Sequence, residues 1–132
     1  MKLATIGDGV DVCESLIANA GRGLFATRSF KKNQLITTYD GQVITMKEAR
    51  TRSRQTHLAS REGIVIDGIT VPAKGCGGGS FANGEPLLKH SNAKIVAILG
   101  ILALKSTRAI EPWEEIVVHY GRRGFRIACG TL

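Results

Sequence analysis

The residues best suited to do chemistry in this chain stand in small groups set far apart. They are Gly21-Arg22-Gly23, Tyr39 before Asp40-Gly41, Asn83 after Phe81-Ala82, and Tyr120 before Gly121. Two glycines flanking one residue let backbone come close to a ligand. Here the third glycine and the strand–loop–helix frame of a dinucleotide fingerprint are missing, so on its own the Gly-Arg-Gly step is a turn. A buried tyrosine finds a hydrogen-bond partner for packing reasons alone, and an asparagine after two apolar residues often makes a turn. Cys13, Cys76 and Cys129 are scattered, with no pair at zinc-ligand spacing and none clustered with histidine, so no metal site is expected. A cationic stretch runs from Lys47 through Arg50, Arg52 and Arg54 to Arg61. It is either a solvated helix face or an auxiliary nucleic-acid contact. No aromatic residue falls inside it to stack on bases, which weighs against a dedicated nucleic-acid-binding domain.

These groups must be positioned by one domain spanning residues 1–132, a length that suits a single core. The 43% hydrophobic fraction is that of a globular protein, and the net charge of +7 favours an acidic partner or an anionic ligand. Scattered cysteines and the lack of a secretory signal predict an intracellular protein, nuclear or cytoplasmic. The longest apolar run, Ile95 to Leu104, is about half a bilayer crossing, so no membrane span is expected.

Along the chain, residues 1–20 read as a strand or short helix, followed by a turn into a strand at Leu24–Thr27. Another strand is predicted from Gln34 to Tyr39, ended by Asp40-Gly41. Thr45 with Glu48 three residues later is a capping-box pattern, and the helix-tolerant residues behind it predict a helix to Arg61, ended by Gly63. Ile64–Gly68 is a strand, Ile69–Pro72 short and extended, and Gly75–Ser80 irregular. Ile95–Leu104 is a buried strand or helix, with Gly100 favouring a strand bent there. Ser106–Ile110 continues extended, Glu111–Glu114 turns, and Ile116–Tyr120 is the last strand. No internal repeat is evident. Many short strands with one helix make a mostly β fold.

Order adds what no single motif carries. Gly21-Arg22-Gly23-Leu24-Phe25-Ala26, then Tyr39-Asp40-Gly41, then Ile64-Val65-Ile66-Asp67, Gly79-Ser80-Phe81-Ala82-Asn83, Ile110-Glu111-Pro112-Trp113-Glu114-Glu115 and His119-Tyr120-Gly121 follow one another. This series resembles the SET domain of lysine methyltransferases, from Ala20 to Gly121. The resemblance implies a β-clip of small twisted sheets with one short helix and a C-terminal pseudoknot, a threaded connection of a kind proteins rarely use. It implies S-adenosylmethionine as cofactor and a protein lysine, histone or non-histone, as acceptor.

By that resemblance Gly21, Arg22 and Gly23 approach the cofactor, Asn83 hydrogen-bonds it, and Tyr120 is the catalytic tyrosine beside the methyl group. Tyr39 joins Tyr120 in the catalytic set and lines the lysine channel, where Val118 limits how many methyl groups fit and Phe125 helps close the far side. Val118 stands where relatives commonly have Phe or Tyr, and filling the core is its other reading. Departures from the family pattern are a loop, Glu85 to Ser91, inserted between Asn83 and Asn92, Trp113 where relatives have glycine, and no cysteine-rich flanking segments. They leave a second reading open, a SET-like module that binds cofactor or peptide without turnover. A homodimer that completes the site is one arrangement compatible with so short a chain.

Overall fold

The protein is described by a computed structural model covering residues 2–18, 20–52, 58–85 and 90–119. Strands β1 (Lys2–Gly7) and β2 (Val10–Glu14) form a hairpin across Asp8-Gly9, and β3 (Arg22–Ala26) pairs antiparallel with β2. Residues 1–20 thus supply two strands rather than one element, because Val10, Val12 and Ile6 alternate into the core. Next come β4 (Leu35–Thr38) and β5 (Gly41–Ile44), separated only by Tyr39 and Asp40.

Among the described residues one α-helix, α1, spans Met46–Thr51, much shorter than the sequence predicts. The capping box is present: Glu48 N donates to Thr45 Oγ1 at 3.0 Å and Thr45 N to Glu48 Oε1 at 2.9 Å. Those bonds hold the Glu48 carboxyl below its usual value. The helix stops because Arg52 turns extended and its guanidinium meets Asp67 at 3.3 Å. The chain then enters β6 (Leu58–Arg61), which folds back on β7 (Ile64–Gly68) through Glu62-Gly63. Gly63 therefore turns a hairpin instead of ending a helix. Leu58 and Ala59 are both buried, one against Ile44, Ala49 and Val65, the other against Tyr39, Ile66 and Leu102. A strand covered on both faces satisfies this pair, whereas a helix would not place neighbours on opposite sides. The basic stretch is consequently divided between α1, β6 and residues 53–57, which lie outside the described residues.

A 3-10 turn at Gly79–Phe81 leads into β8 (Asn83–Glu85). The apolar run around Gly100 is two strands, β9 (Ala93–Ile98) and β10 (Ile101–Ser106), and not one bent strand. β11 (Glu115–His119) ends the described chain. The larger sheet runs β1-β2-β3-β11-β9-β10-β4, with β8 also pairing β11; the smaller runs β5-β7-β6. β11 is central. It pairs antiparallel with β3 and parallel with β8 and β9. That places the asparagine segment beside the last strand; the tail that would form a pseudoknot lies outside the described residues. The main core gathers Val10, Leu24, Phe30, Leu104, Ile116 and Val118 beneath this sheet.

One relationship hidden in the sequence is a repeated turn. Residues 27–36 and 107–116 share Thr-Arg at their starts and Ile at their ends. In both, the third turn residue has positive φ, 66° at Asn33 and 66° at Trp113. Lys31 N donates to Gln34 Oε1 at 2.8 Å, and Glu111 N donates to Glu114 Oε1 at 3.0 Å. The two turns clasp each other, Phe30 N to Ile110 O and Ile110 N to Phe30 O, each at 2.9 Å. Positive φ at Trp113 also explains why glycine is the easier residue at that place.

Candidate functional site

The site begins where β2 gives way to a loop. Ser15 N donates to Gly21 O at 2.8 Å, closing the loop and delivering the chain into β3. Gly21 takes φ of 75°, and a side chain there would meet nothing within 4 Å. Its backbone is therefore open to an approaching molecule. Gly23 is the opposite case: it is buried, and a Cβ would collide with the Glu115 carboxylate and lie 3.2 Å from Asn83 Nδ2. Only glycine lets β3, β8 and β11 meet there.

Asn83, at the start of β8, places its Nδ2 3.1 Å from Arg22 O, 3.2 Å from Ser15 Oγ and 3.2 Å from Glu115 Oε2. Glu115, at the start of β11, accepts from Ser15 Oγ at 2.7 Å and from Leu16 N at 2.9 Å. The sequence-predicted residues Gly21, Arg22, Gly23 and Asn83 thus converge on one point. Ser15 and Glu115 belong to it as well and were missed. The available signal was a second glutamate directly before an apolar strand, at a position where the strand is buried. The Arg22 side chain is held by the protein itself, Nη2 donating to Thr70 O at 2.9 Å and the guanidinium lying 5.2 Å from the Phe81 ring centroid.

Tyr39 lies in the smaller core with Ala59, Ile66 and Leu102. Burial, with the Asp67 charge adding to it, pushes its phenol well above the usual tyrosine value, so at neutral pH it is a neutral hydroxyl. Its backbone abuts the 3-10 turn that leads to Asn83, since a Cβ on Gly79 would come within 3.1 Å of Tyr39 Cα. Val118 packs in the main core, 3% exposed. Tyr120 and Phe125, and the 86–89 part of the loop after Asn83, lie outside the described residues.

Asn92 is a further residue that sequence reading noted only as a late asparagine. It is buried, and its Nδ2 donates to Glu115 O at 2.9 Å and to Glu114 Oε2 at 3.1 Å. Glu114 has other partners than its neighbour Glu115, accepting from Asn92 Nδ2, Arg108 Nη1 and Glu111 N. Partial burial opposes its ionised form, but hydrogen bonds from Glu111 N, Asn92 and Arg108 outweigh this and hold its carboxyl below the usual value.

A separate cleft is bordered by Ile6, Arg28, Thr37, Lys74 and Cys76; none of the sequence-predicted site residues lines it. Among the described residues no helix is long and apolar enough to cross a membrane, and no group of three or more His, Cys, Asp or Glu is placed to hold a metal ion.

Chemically, the Ser15–Gly21–Asn83–Glu115 cluster is rich in hydrogen-bond acceptors and can offset positive charge. It combines an open backbone, an amide whose nitrogen is already engaged, and a buried carboxylate.

A family model for the SET domain matches residues 21–121. The methyltransferase domain of human PR domain-containing protein 2 is similar in fold, with a TM-score of 0.64 at 18% identity, covering 90% of this chain and 82% of that one. Chaetomium thermophilum Polycomb Repressive Complex 2 is similar too. In its autoinhibited conformation bound to S-adenosylmethionine, the TM-score is 0.65 at 19% identity, over 97% of this chain but 17% of that chain. In complex with H3K27me3 and H3K27M, the TM-score is 0.68 at 18% identity, over 89% of this chain and 15% of that chain. No curated protein matches the chain in sequence.

Proposed function

The chain belongs to the SET domain family, and on that premise we propose that it is a protein-lysine methyltransferase using S-adenosylmethionine. The observation that carries this reading is the meeting of Gly21-Arg22-Gly23 with Asn83 around Glu115. Residues that the family resemblance assigns to the cofactor, about sixty positions apart in the chain, form one polar cluster. The donor set fits that cofactor: an open backbone at Gly21 and an outward amide oxygen at Asn83 suit its cationic, donor-bearing amino acid part.

When bound, S-adenosylmethionine supplies a methyl group on positively charged sulfur. The chain's own residues do the rest. The Gly21 and Gly23 backbone and Asn83 bind and orient, which is where much of the advantage of a displacement reaction lies. Tyr39, neutral and buried, lines the lysine channel; an apolar channel favours the uncharged amine, the form able to attack. Tyr120 would hold the transferred methyl group, its hydroxyl oxygen supplying a weak C–H···O acceptor. Val118 limits the room for methyl groups and Phe125 closes the channel. The acceptor is a lysine of a protein, histone or non-histone. Lys47 and Arg50, exposed on α1, and Arg61, exposed on β6, serve as an auxiliary contact to nucleic acid.

The test is calorimetric titration with S-adenosylmethionine and its demethylated product, followed by methylation of candidate proteins. Wild type is expected to bind saturably, Asn83→Ala to bind measurably but at least about tenfold more weakly, and Tyr120→Phe to bind while losing turnover. A folded wild type that binds neither compound would overturn the cofactor site. Binding without methylation of any protein tested would favour a SET-like module that has lost catalysis.

A further inference from the structure

We infer that Glu115 is a positioning residue for this site: its carboxylate fixes the Asn83 amide with the oxygen turned outward and ties the loop at residues 15–16 to the same point. The inference rests on reading the cluster as the cofactor site.

Glu115 is only 8% exposed, and its two oxygens face different partners. Oε1 accepts from Leu16 N, and Oε2 accepts from Ser15 Oγ and Asn83 Nδ2. The Asn83 amide has two N–H groups, and around Nδ2 lie Arg22 O, Ser15 Oγ and Glu115 Oε2. Two of these three can only accept. Turning the amide over would set its oxygen against a carbonyl and a carboxylate, which is repulsive. Only one orientation is therefore compatible with Glu115, and in it Oδ1 is left to accept from a ligand. An outward acceptor fixed beside a buried negative charge selects an ammonium or another charged N–H donor.

The consecutive residue Glu114 makes different contacts, accepting from Arg108 Nη1 at 2.9 Å and from Asn92 Nδ2 at 3.1 Å in the turn before β11. Of the two adjacent glutamates, one serves the turn and the other the site.

The experiment compares binding of S-adenosylmethionine with that of an analogue lacking the α-amino group, in wild type, Glu115→Gln, Asn83→Ala and the double variant. Glu115→Gln is expected to weaken S-adenosylmethionine by about tenfold or more, the size of a charge-assisted hydrogen bond, and to leave the deaminated analogue nearly unchanged. In the Asn83→Ala background the Glu115→Gln effect is expected to vanish. Equal weakening of both ligands, or additive losses in the double variant, would overturn the positioning role while leaving the cofactor site standing. A wild type that binds neither ligand overturns the cofactor reading, and the role of Glu115 with it. Should Glu115→Gln fail to fold, the wild-type side-chain amide resonance of Asn83, assigned by its loss in Asn83→Ala, gives the answer. Slow hydrogen exchange at that amide supports the inference, and exchange as fast as an exposed asparagine's defeats it.

Discussion

Asn92 grips Val117 at both ends of its backbone. Asn92 N donates to Val117 O at 3.1 Å, and its side-chain Oδ1 accepts from Val117 N at 2.9 Å. A side chain thus imitates one rung of a β-ladder and pins the segment before β9 to β11, the strand that also carries Glu115. Because Asn92 is 1% exposed, removing its side chain leaves Val117 N and Glu115 O buried and unpaired. Asn92→Ala should cost about 3 kcal/mol, one to three for each orphaned group after some relaxation. Denaturant unfolding checks this, and a loss under about half a kcal/mol would mean that water or a shifted strand replaces the asparagine.

Tyr39 should ionise far later than an ordinary tyrosine. Its burial is the leading cause, with Asp67 second. The chain has two tyrosines, so in Tyr120→Phe the tyrosinate absorbance reports Tyr39 alone. The folded state holds this proton more tightly than the unfolded chain does. The stability it contributes is fully present below the unfolded value, about pH 10, and is lost as pH rises through the folded value. Native Tyr120→Phe should show no tyrosinate near pH 10, and its unfolding free energy should begin to fall above that pH. A normal titration in the still-folded protein would place the phenol in water and remove it from any apolar channel.

The two glycines of the Gly-Arg-Gly step should respond differently to one added methyl group. Gly21→Ala meets no atom but must hold φ of 75°, a cost of about 1 kcal/mol. Gly23→Ala drives a Cβ into the Glu115 carboxylate and must push β3 from β11, costing about 2–3 kcal/mol as overpacking does. Unfolding measurements rank the two, and calorimetry should find cofactor binding abolished in Gly23→Ala. Equal costs, or a harsher effect at Gly21, would mean that β3 and β11 are not locked together as described.

Much of the architecture was legible because its signals are local. Thr45 and Glu48 announced the start of α1, and Asp40-Gly41 announced the break after β4. What escaped were two hairpins whose turns lack the usual residues. Glu62-Gly63 and Leu99-Gly100 both have positive φ at each position, 51° and 83° in the first, 51° and 81° in the second. That is the geometry an asparagine-glycine pair normally signals. With Glu or Leu in the first place, the run before Gly63 looked like helix and the run through Gly100 looked like one strand. For the site, motif order was enough to nominate Gly21, Gly23 and Asn83. It could not nominate Glu115 or Ser15, whose importance comes from contacts ninety-nine and one hundred positions apart.

Leu99 provides the most direct check on that account of the hairpins. It is 96% exposed, so it has little packing to lose, yet it holds φ of 51°, where a leucine is strained by about 1–2 kcal/mol. Asparagine tolerates this region, and placed before Gly100 it completes the favoured two-residue hairpin turn. Leu99→Asn should therefore stabilise the protein by about 1 kcal/mol. Leu99→Ala is the control: it removes the same exposed apolar surface but keeps the backbone strain, so its unfolding midpoint should stay near that of wild type. If alanine stabilised as much as asparagine, relief of an exposed leucine would be the cause, and the turn at residues 99 and 100 would not have the conformation that separates β9 from β10.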